Sequence, residues 1–96
     1  MSKPLYDVEM TSVFKKELKK AKKRGLDLQL LNEIVTKLQC GEPLPDKNKD
    51  HALTGNWVHH RECHIQPDWL LIYRVIENEL ILLLVRTGMH SDLFDK

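Results

Sequence analysis

The hydrophobic residues change their spacing partway along the chain, and this change constrains the fold more than any other feature. Two segments, which follow Thr11 and Asp27 and end near Gly25 and Gly41, repeat apolar residues at intervals of three and four. Thr and Asp are favoured helix N-caps and Gly is a favoured helix end, so both segments are predicted helices. After residue 56 the spacing is strand-like, in three runs separated by short turns: Trp57–Ile65, Trp69–Ile76 and Glu79–Thr87.

These elements predict an α+β fold. A short strand at Tyr6–Met10 precedes the two helices, which gives the order β-α-α-β-β-β: a helical hairpin packed on a mostly antiparallel four-stranded sheet. The 96 residues suffice for one domain, 1–96. The stretch Gly41–Asn56 has two prolines and no periodicity, so it is a predicted loop, and loops of this length are often functional.

Charge is distributed unevenly along the chain. Residues 1–49 hold 11 Lys or Arg and 7 Asp or Glu, whereas residues 50–96 hold 4 Lys or Arg and 7 Asp or Glu. The first helix concentrates the positive charge, which would attract a polyanion such as RNA. The longest apolar run, Leu80–Val85, is too short to span a membrane and no signal peptide is visible, so a cytoplasmic location is expected. Cys40 and Cys63 are then expected to be free thiols.

Strand pairing brings scattered polar residues to one end of the predicted sheet. A two-residue turn at Glu77–Asn78 would place Trp69 opposite Arg86 and Asp68 opposite Thr87. A tight turn at Gln66–Pro67 would place His64 opposite Trp69, within one or two residues. The residues predicted to gather there are His64, Asp68, Trp69, Arg86 and His90, with His51 of the long loop within reach.

Histidines beside a carboxylate and an arginine suit proton transfer near a phosphate. One imidazole can accept a proton while another donates one, and an arginine can neutralise charge on a phosphoryl oxygen. Aromatic rings can stack on unpaired bases. The pattern favours a metal-independent ribonuclease in which His51, His64 or Asp68 is the base and His90 the acid. Arg86 is a predicted phosphate contact, and Trp69 and Phe94 are predicted base platforms.

Three blocks of the sequence resemble the signature blocks of YafQ-type toxins, a branch of the RelE/ParE superfamily: KDHALTGNW (49–57), RECHIQPDWLLIY (61–73) and RTGMHSDLF (86–94). The resemblance implies a RelE-like fold and an mRNA interferase that cuts message on the ribosome without a cofactor. It implies a cognate antitoxin, whose complex with the toxin binds operator DNA through the antitoxin. The matching positions are His51, His64, Asp68, Trp69, His90 and Phe94, with Arg61 and Arg86 as phosphate contacts.

Other interpretations remain open at this point. A ParE-like toxin would bind a topoisomerase without cutting RNA, and a regulator would bind nucleic acid through the basic helix alone. A metal site is not expected, because the sequence has no HxxxH, HExxH or CxxC pair. The His59–His60 doublet and Cys63 do not fit the family pattern. Trp69 and Phe94 are also residue types that commonly belong to a core.

Overall fold

The computed structural model describes residues 4–94, without the side chain of Phe94. Within these residues the sheet has five strands, one more than the sequence predicts. The elements are β1 (Asp7–Met10), α1 (Ser12–Lys23), α2 (Leu28–Gln39), β2 (His51–Ala52), β3 (Arg61–Gln66), β4 (Trp69–Ile76), β5 (Ile81–Met89) and α3 (His90–Phe94). The strand order is β1-β5-β4-β3-β2, and only β1 and β5 run parallel in this described sheet. The α+β class and the helical hairpin are confirmed.

Local hydrogen bonds explain why both long helices begin where the sequence predicts. The hydroxyl of Thr11 accepts from the amide of Phe14 at 2.9 Å, and the carboxylate of Asp27 accepts from the amide of Gln29 at 3.0 Å. Each bond satisfies an amide that has no partner inside the helix. Thr11 also donates to the Val85 carbonyl at 2.8 Å, so the same cap fixes α1 to the sheet.

The main core lies between the helical hairpin and one face of the sheet. Its largest buried side chains are Phe14, Trp69 and Tyr73. The opposite face carries a smaller apolar cluster of Leu70, Ile72 and Leu93, with Trp57 packed against it. Cys40 and Cys63 are both free thiols, as expected. Burial raises the pKa of the Cys63 thiol, so Cys63 is an inert core side chain.

The predicted pairing of β4 with β5 is wrong in its register. Ile76 pairs with Ile81, because the turn spans Glu77–Leu80 and the left-handed residue is Leu80, with a φ of 55°. A bulge after Ile72 shifts the pairing further. Trp69 therefore lies opposite Met89, and Arg86 is three residues further back along β5. The Pro67–Asp68 turn differs from the predicted turn by only one or two residues.

The other differences concern the long loop and the residues after it. The predicted strand Trp57–Ile65 begins only at Arg61, because residues 55–60 form turns and His59 has a left-handed φ of 73°. The His59–His60 doublet therefore does not alternate across a strand; the His60 ring packs edge-on against Trp57. Among the described residues, no helix is long and apolar enough to cross a membrane.

Candidate active site

Two histidines share one carboxylate on the face of the sheet opposite the helical hairpin. Nε2 of His51 lies 3.4 Å from Oε1 of Glu62, and Nε2 of His64 lies 3.8 Å from the same oxygen. The Glu62 side chain is 8% exposed, whereas both imidazoles reach the surface. Alternation along β3 puts Glu62 and His64 on one face, and β2 pairs His51 with Glu62. We name His51, Glu62 and His64 the imidazole–carboxylate cluster.

Backbone carbonyls fix the orientation of both rings in this cluster. Nδ1 of His51 contacts the Lys49 carbonyl at 2.7 Å, and Nδ1 of His64 contacts the Pro67 carbonyl at 3.1 Å. A carbonyl oxygen only accepts, so each Nδ1 carries a hydrogen. Both Nε2 atoms face Glu62.

Asp68 and His90 lie at the end of the sheet nearest His64. Asp68 is in the turn between β3 and β4, directly after the Pro67 that binds the His64 ring. The His90 amide donates to the Asp68 carbonyl at 3.3 Å, which holds the start of α3 against this turn. Both residues are exposed and line an open depression of about 380 Å³ with Met89 and Ser91. The predicted gathering of His64, Asp68 and His90 is thus present despite the register error.

Two of the predicted RNA-binding residues are placed elsewhere. Trp69 is 1% exposed in the core, and its Nε1 donates to Oγ1 of Thr87 at 2.9 Å. No face of its ring is open to a base, so the base-platform prediction for Trp69 is corrected. Arg86 donates to the Glu17 carboxylate through Nε at 3.0 Å and Nη2 at 2.6 Å. Nε and Nη2 are occupied by a carboxylate in this structure, and the phosphate contact of Arg86 stays a prediction.

Arg61 keeps an accessible guanidinium. Its side chain is 43% exposed, and its Nε donates to Asp50 at 3.3 Å. Burial lowers the pKa of Arg61, but hydrogen bonds with Tyr73 and Asp50 outweigh that effect and the pKa is raised, so the cation persists at any physiological pH. The side chain of Phe94 lies outside the described residues.

Glu62 was not among the predicted site residues. Its position two residues before His64 in a strand is the signal that indicates a shared face. Asn48 and Asp50 were also missed, since their partners lie 16 and 23 residues further along the chain.

The fold and the histidine-rich sheet end define a class: the small toxins of bacterial toxin–antitoxin systems. Residues 6–95 match the family described as the bacterial toxin of type II toxin–antitoxin systems, YafQ. This chain belongs to the YafQ family.

Relatives cover nearly the whole chain. The mRNA interferase toxin YafQ of Escherichia coli K12 is 39% identical over 89 residues, which are 92% of this chain and 95% of that protein. A metal-bound toxin from Helicobacter pylori matches with a TM-score of 0.88 and 45% identity, covering 93% of this chain and 99% of that one. A chain of the Escherichia coli DinJ–YafQ toxin–antitoxin complex matches with a TM-score of 0.84 and 38% identity, covering 94% of this chain and 98% of that one.

The Helicobacter relative raises the question of whether the residues here fit a metal. Within residues 4–94, no group of three or more His, Cys, Asp or Glu is arranged to hold a metal ion. The absence of a metal therefore stays a prediction.

Proposed function

We propose that this chain is an endoribonuclease toxin that cleaves translated mRNA on the ribosome by metal-independent acid–base catalysis, and that it acts in the cytoplasm. The observation that carries the proposal is the pair of imidazoles whose Nε2 atoms lie within 3.8 Å of one Glu62 oxygen, at the sheet end where Asp68 and His90 are exposed. A toxin that only binds a partner protein has no need of oriented acid–base groups. Membership of the YafQ family and the interferase activity named for the Escherichia coli relative support the same conclusion.

The nucleophile in this proposal is the 2′-hydroxyl of the RNA. A base drawn from His51, His64 or Asp68 takes its proton while the 2′-oxygen attacks phosphorus and the bond from phosphorus to the 5′-oxygen breaks. His90 gives a proton to the departing 5′-oxygen. Arg61 lies on the other face of β3 from His64, so in this proposal it contacts a neighbouring phosphate of the RNA and not the reacting one. The products are a 2′,3′-cyclic phosphate and a 5′-hydroxyl.

The proposed partner is a cognate antitoxin that folds on the toxin as it binds. Helix α1 exposes six lysines, a surface that suits an acidic segment: Lys15, Lys16, Lys19, Lys20, Lys22 and Lys23. The DinJ–YafQ complex provides the precedent for such a partner. In this proposal the antitoxin, and not the toxin, contacts operator DNA.

Mapping RNA ends during reconstituted translation tests the proposal. The protein is treated with EDTA, desalted and added to ribosomes translating a reporter message, since ribosomes themselves need magnesium. New 5′ ends inside translated codons are expected, and these ends should require phosphorylation before ligation. The proposal fails if chelation removes activity, if the new ends carry 5′-phosphates, or if the message stays intact while a topoisomerase is inhibited.

A further inference from the structure

The segment that carries His51 has very little strand pairing of its own. Strand β2 is two residues long and pairs with β3 at only two positions, His51 with Glu62 and Ala52 with Arg61. Such a short ladder does not hold a catalytic side chain in a fixed place by itself. Two polar side chains just before His51 supply the missing attachment. We name these two residues, Asn48 and Asp50, the loop anchor.

Asn48 attaches the loop to the strand that carries His64. Its side chain is buried, with the residue 6% exposed, and its Nδ2 donates to the His64 carbonyl at 2.7 Å. A buried side-chain amide needs a hydrogen-bond partner within the protein, so this contact is specific. The loop three residues before His51 is therefore attached to the backbone of His64.

Asp50 attaches the loop to β3 and β4 on the other face of the sheet. Its Oδ1 accepts from the hydroxyl of Tyr73 at 2.6 Å and from Nε of Arg61 at 3.3 Å. Tyr73 is 1% exposed. Burial and the hydrogen bond to Asp50 raise the pKa of Tyr73, so the phenol keeps its hydrogen and remains a donor.

Lys49 lies between the two anchor residues and presents the carbonyl that orients His51. Its backbone is left-handed, with a φ of 48°, a conformation that a residue with a side chain rarely adopts unless its surroundings impose it. This conformation directs the Lys49 carbonyl to Nδ1 of His51 at 2.7 Å. The two anchor residues lie on either side of Lys49, whose own amide donates to the Asp46 carbonyl at 3.0 Å.

We propose that Asn48 and Asp50 are positioning residues, which hold the Lys49 carbonyl in place and thereby aim Nε2 of His51 at Glu62 and His64. This inference rests on the proposed function only for its effect on catalysis. The orientation of the His51 ring is a separate property that can be measured without RNA. The buried Tyr73 and Asn48 have no access to substrate, so their effect has to pass through the histidines.

Tyr73→Phe is the sharpest test, because it removes the donor to Asp50 and keeps the ring in the core. Asp50→Asn is the second variant, and Asp46→Asn is the matched control, since Asp46 is an exposed carboxyl of the same loop. Folding is checked by circular dichroism. The His51 ring is then followed by ¹⁵N NMR, which distinguishes the Nδ1–H tautomer from the Nε2–H tautomer.

The expected result is that Tyr73→Phe and Asp50→Asn shift the His51 ring toward a mixture of tautomers, while Asp46→Asn leaves it unchanged. In cleavage assays, kcat should fall about 10- to 100-fold with KM within about twofold, because misplaced catalytic groups lower the rate without weakening substrate binding. An unchanged His51 spectrum in both folded variants would overturn the positioning role. If the wild-type protein cuts no RNA while the two variants still show the tautomer shift, the proposed function is overturned and the role of the loop anchor stands.

Discussion

The indole of Trp69 and the hydroxyl of Thr87 form a buried hydrogen bond across β4 and β5, with 2.9 Å between Nε1 and Oγ1. Thr87 in turn donates to the Leu70 carbonyl at 2.8 Å, so its hydroxyl is satisfied on both sides. This pair is a structural element of the core, and it explains why a tryptophan is placed next to the Pro67–Asp68 turn without facing the solvent.

Replacing Trp69 by Phe should lower stability and leave the chemistry intact. The variant loses a buried hydrogen bond and leaves a small cavity, and the free energy of unfolding should fall by about 1–3 kcal/mol. The cleavage rate per folded molecule should stay within about twofold of the wild type. Urea denaturation and single-turnover cleavage measure the two quantities. A large rise in KM with unchanged stability would instead support base stacking on Trp69.

His90→Ala and Asp68→Asn should abolish cleavage without affecting folding. Both side chains are exposed, so neither substitution creates a cavity in the core. Loss of a general acid or base lowers the rate by about 10²–10⁴. Toxicity on induction and cleavage of a reporter message measure the effect, with Ser91→Ala as the matched control in the same depression. Full toxicity of both variants at equal expression would remove these residues from the site.

Glu17→Gln should destabilise the protein through Arg86. The substitution removes the charge that pairs with the half-buried guanidinium, at a cost of about 1–2 kcal/mol in the free energy of unfolding. Arg86→Gln should cost a similar amount, and the double variant should cost less than the two changes added together. Denaturation of the three variants completes the cycle. Additive costs would mean that the two side chains do not interact in solution.

The ion pair between Arg24 and Asp92 predicts a pH dependence of stability. The hydrogen bond from Arg24 holds the pKa of Asp92 below the ordinary value of 3.8. A lowered pKa in the folded state contributes stability that is full above 3.8 and is lost as the pH falls through the lowered pKa. Both side chains are more than a third exposed, so the contribution is under about 1 kcal/mol and weakens with salt.

Arg24→Gln removes this contribution. The difference in unfolding free energy between wild type and Arg24→Gln should therefore be present at about pH 6 and shrink toward pH 3, conditions that bracket the ordinary range of carboxyl groups. A difference that stays constant over this range would show that Arg24 acts through packing alone.

Leu80→Gly should stabilise the turn between β4 and β5. Leu80 is 56% exposed and has a φ of 55°, which a glycine adopts without steric cost. The gain is about 0.5–1 kcal/mol, because the relief of strain exceeds the added entropy of the unfolded chain. Leu80→Ala keeps the strain and is the control. Equal stability of the two variants would locate the effect in the side chain and not in the backbone.

The helices were predictable from the sequence because their determinants are local. Thr11 and Asp27 each bond an amide two or three residues away, so a short window contains both partners. The pairing of β4 with β5 depends on which turn residue takes the left-handed conformation. Asn78 is the better candidate by residue type, and Leu80 adopts it instead. Tertiary pairing of the strands overrides that local preference.

The site was only partly predictable for a related reason. His64, Asp68 and His90 converge because the strand ends meet under either register. The roles of Trp69 and Arg86 depended on the register itself and on Glu17, which lies 69 residues from Arg86. The loop anchor depends on contacts with residues 16 and 23 positions further along the chain, and no local sequence pattern reveals such contacts.

The parallel pairing of β1 with β5 has a consequence for how the toxin is made. Asp7 pairs with Ile81 and Met10 with Leu84, so β1 has no partner strand until β5 has been synthesised. A nascent chain that stops before Ile81 has an unpaired β1 and also lacks His90. Long-range pairing of this kind delays folding until most of the chain is available. The sheet, and with it the end that carries His64, Asp68 and His90, is therefore complete only after β5 has been synthesised.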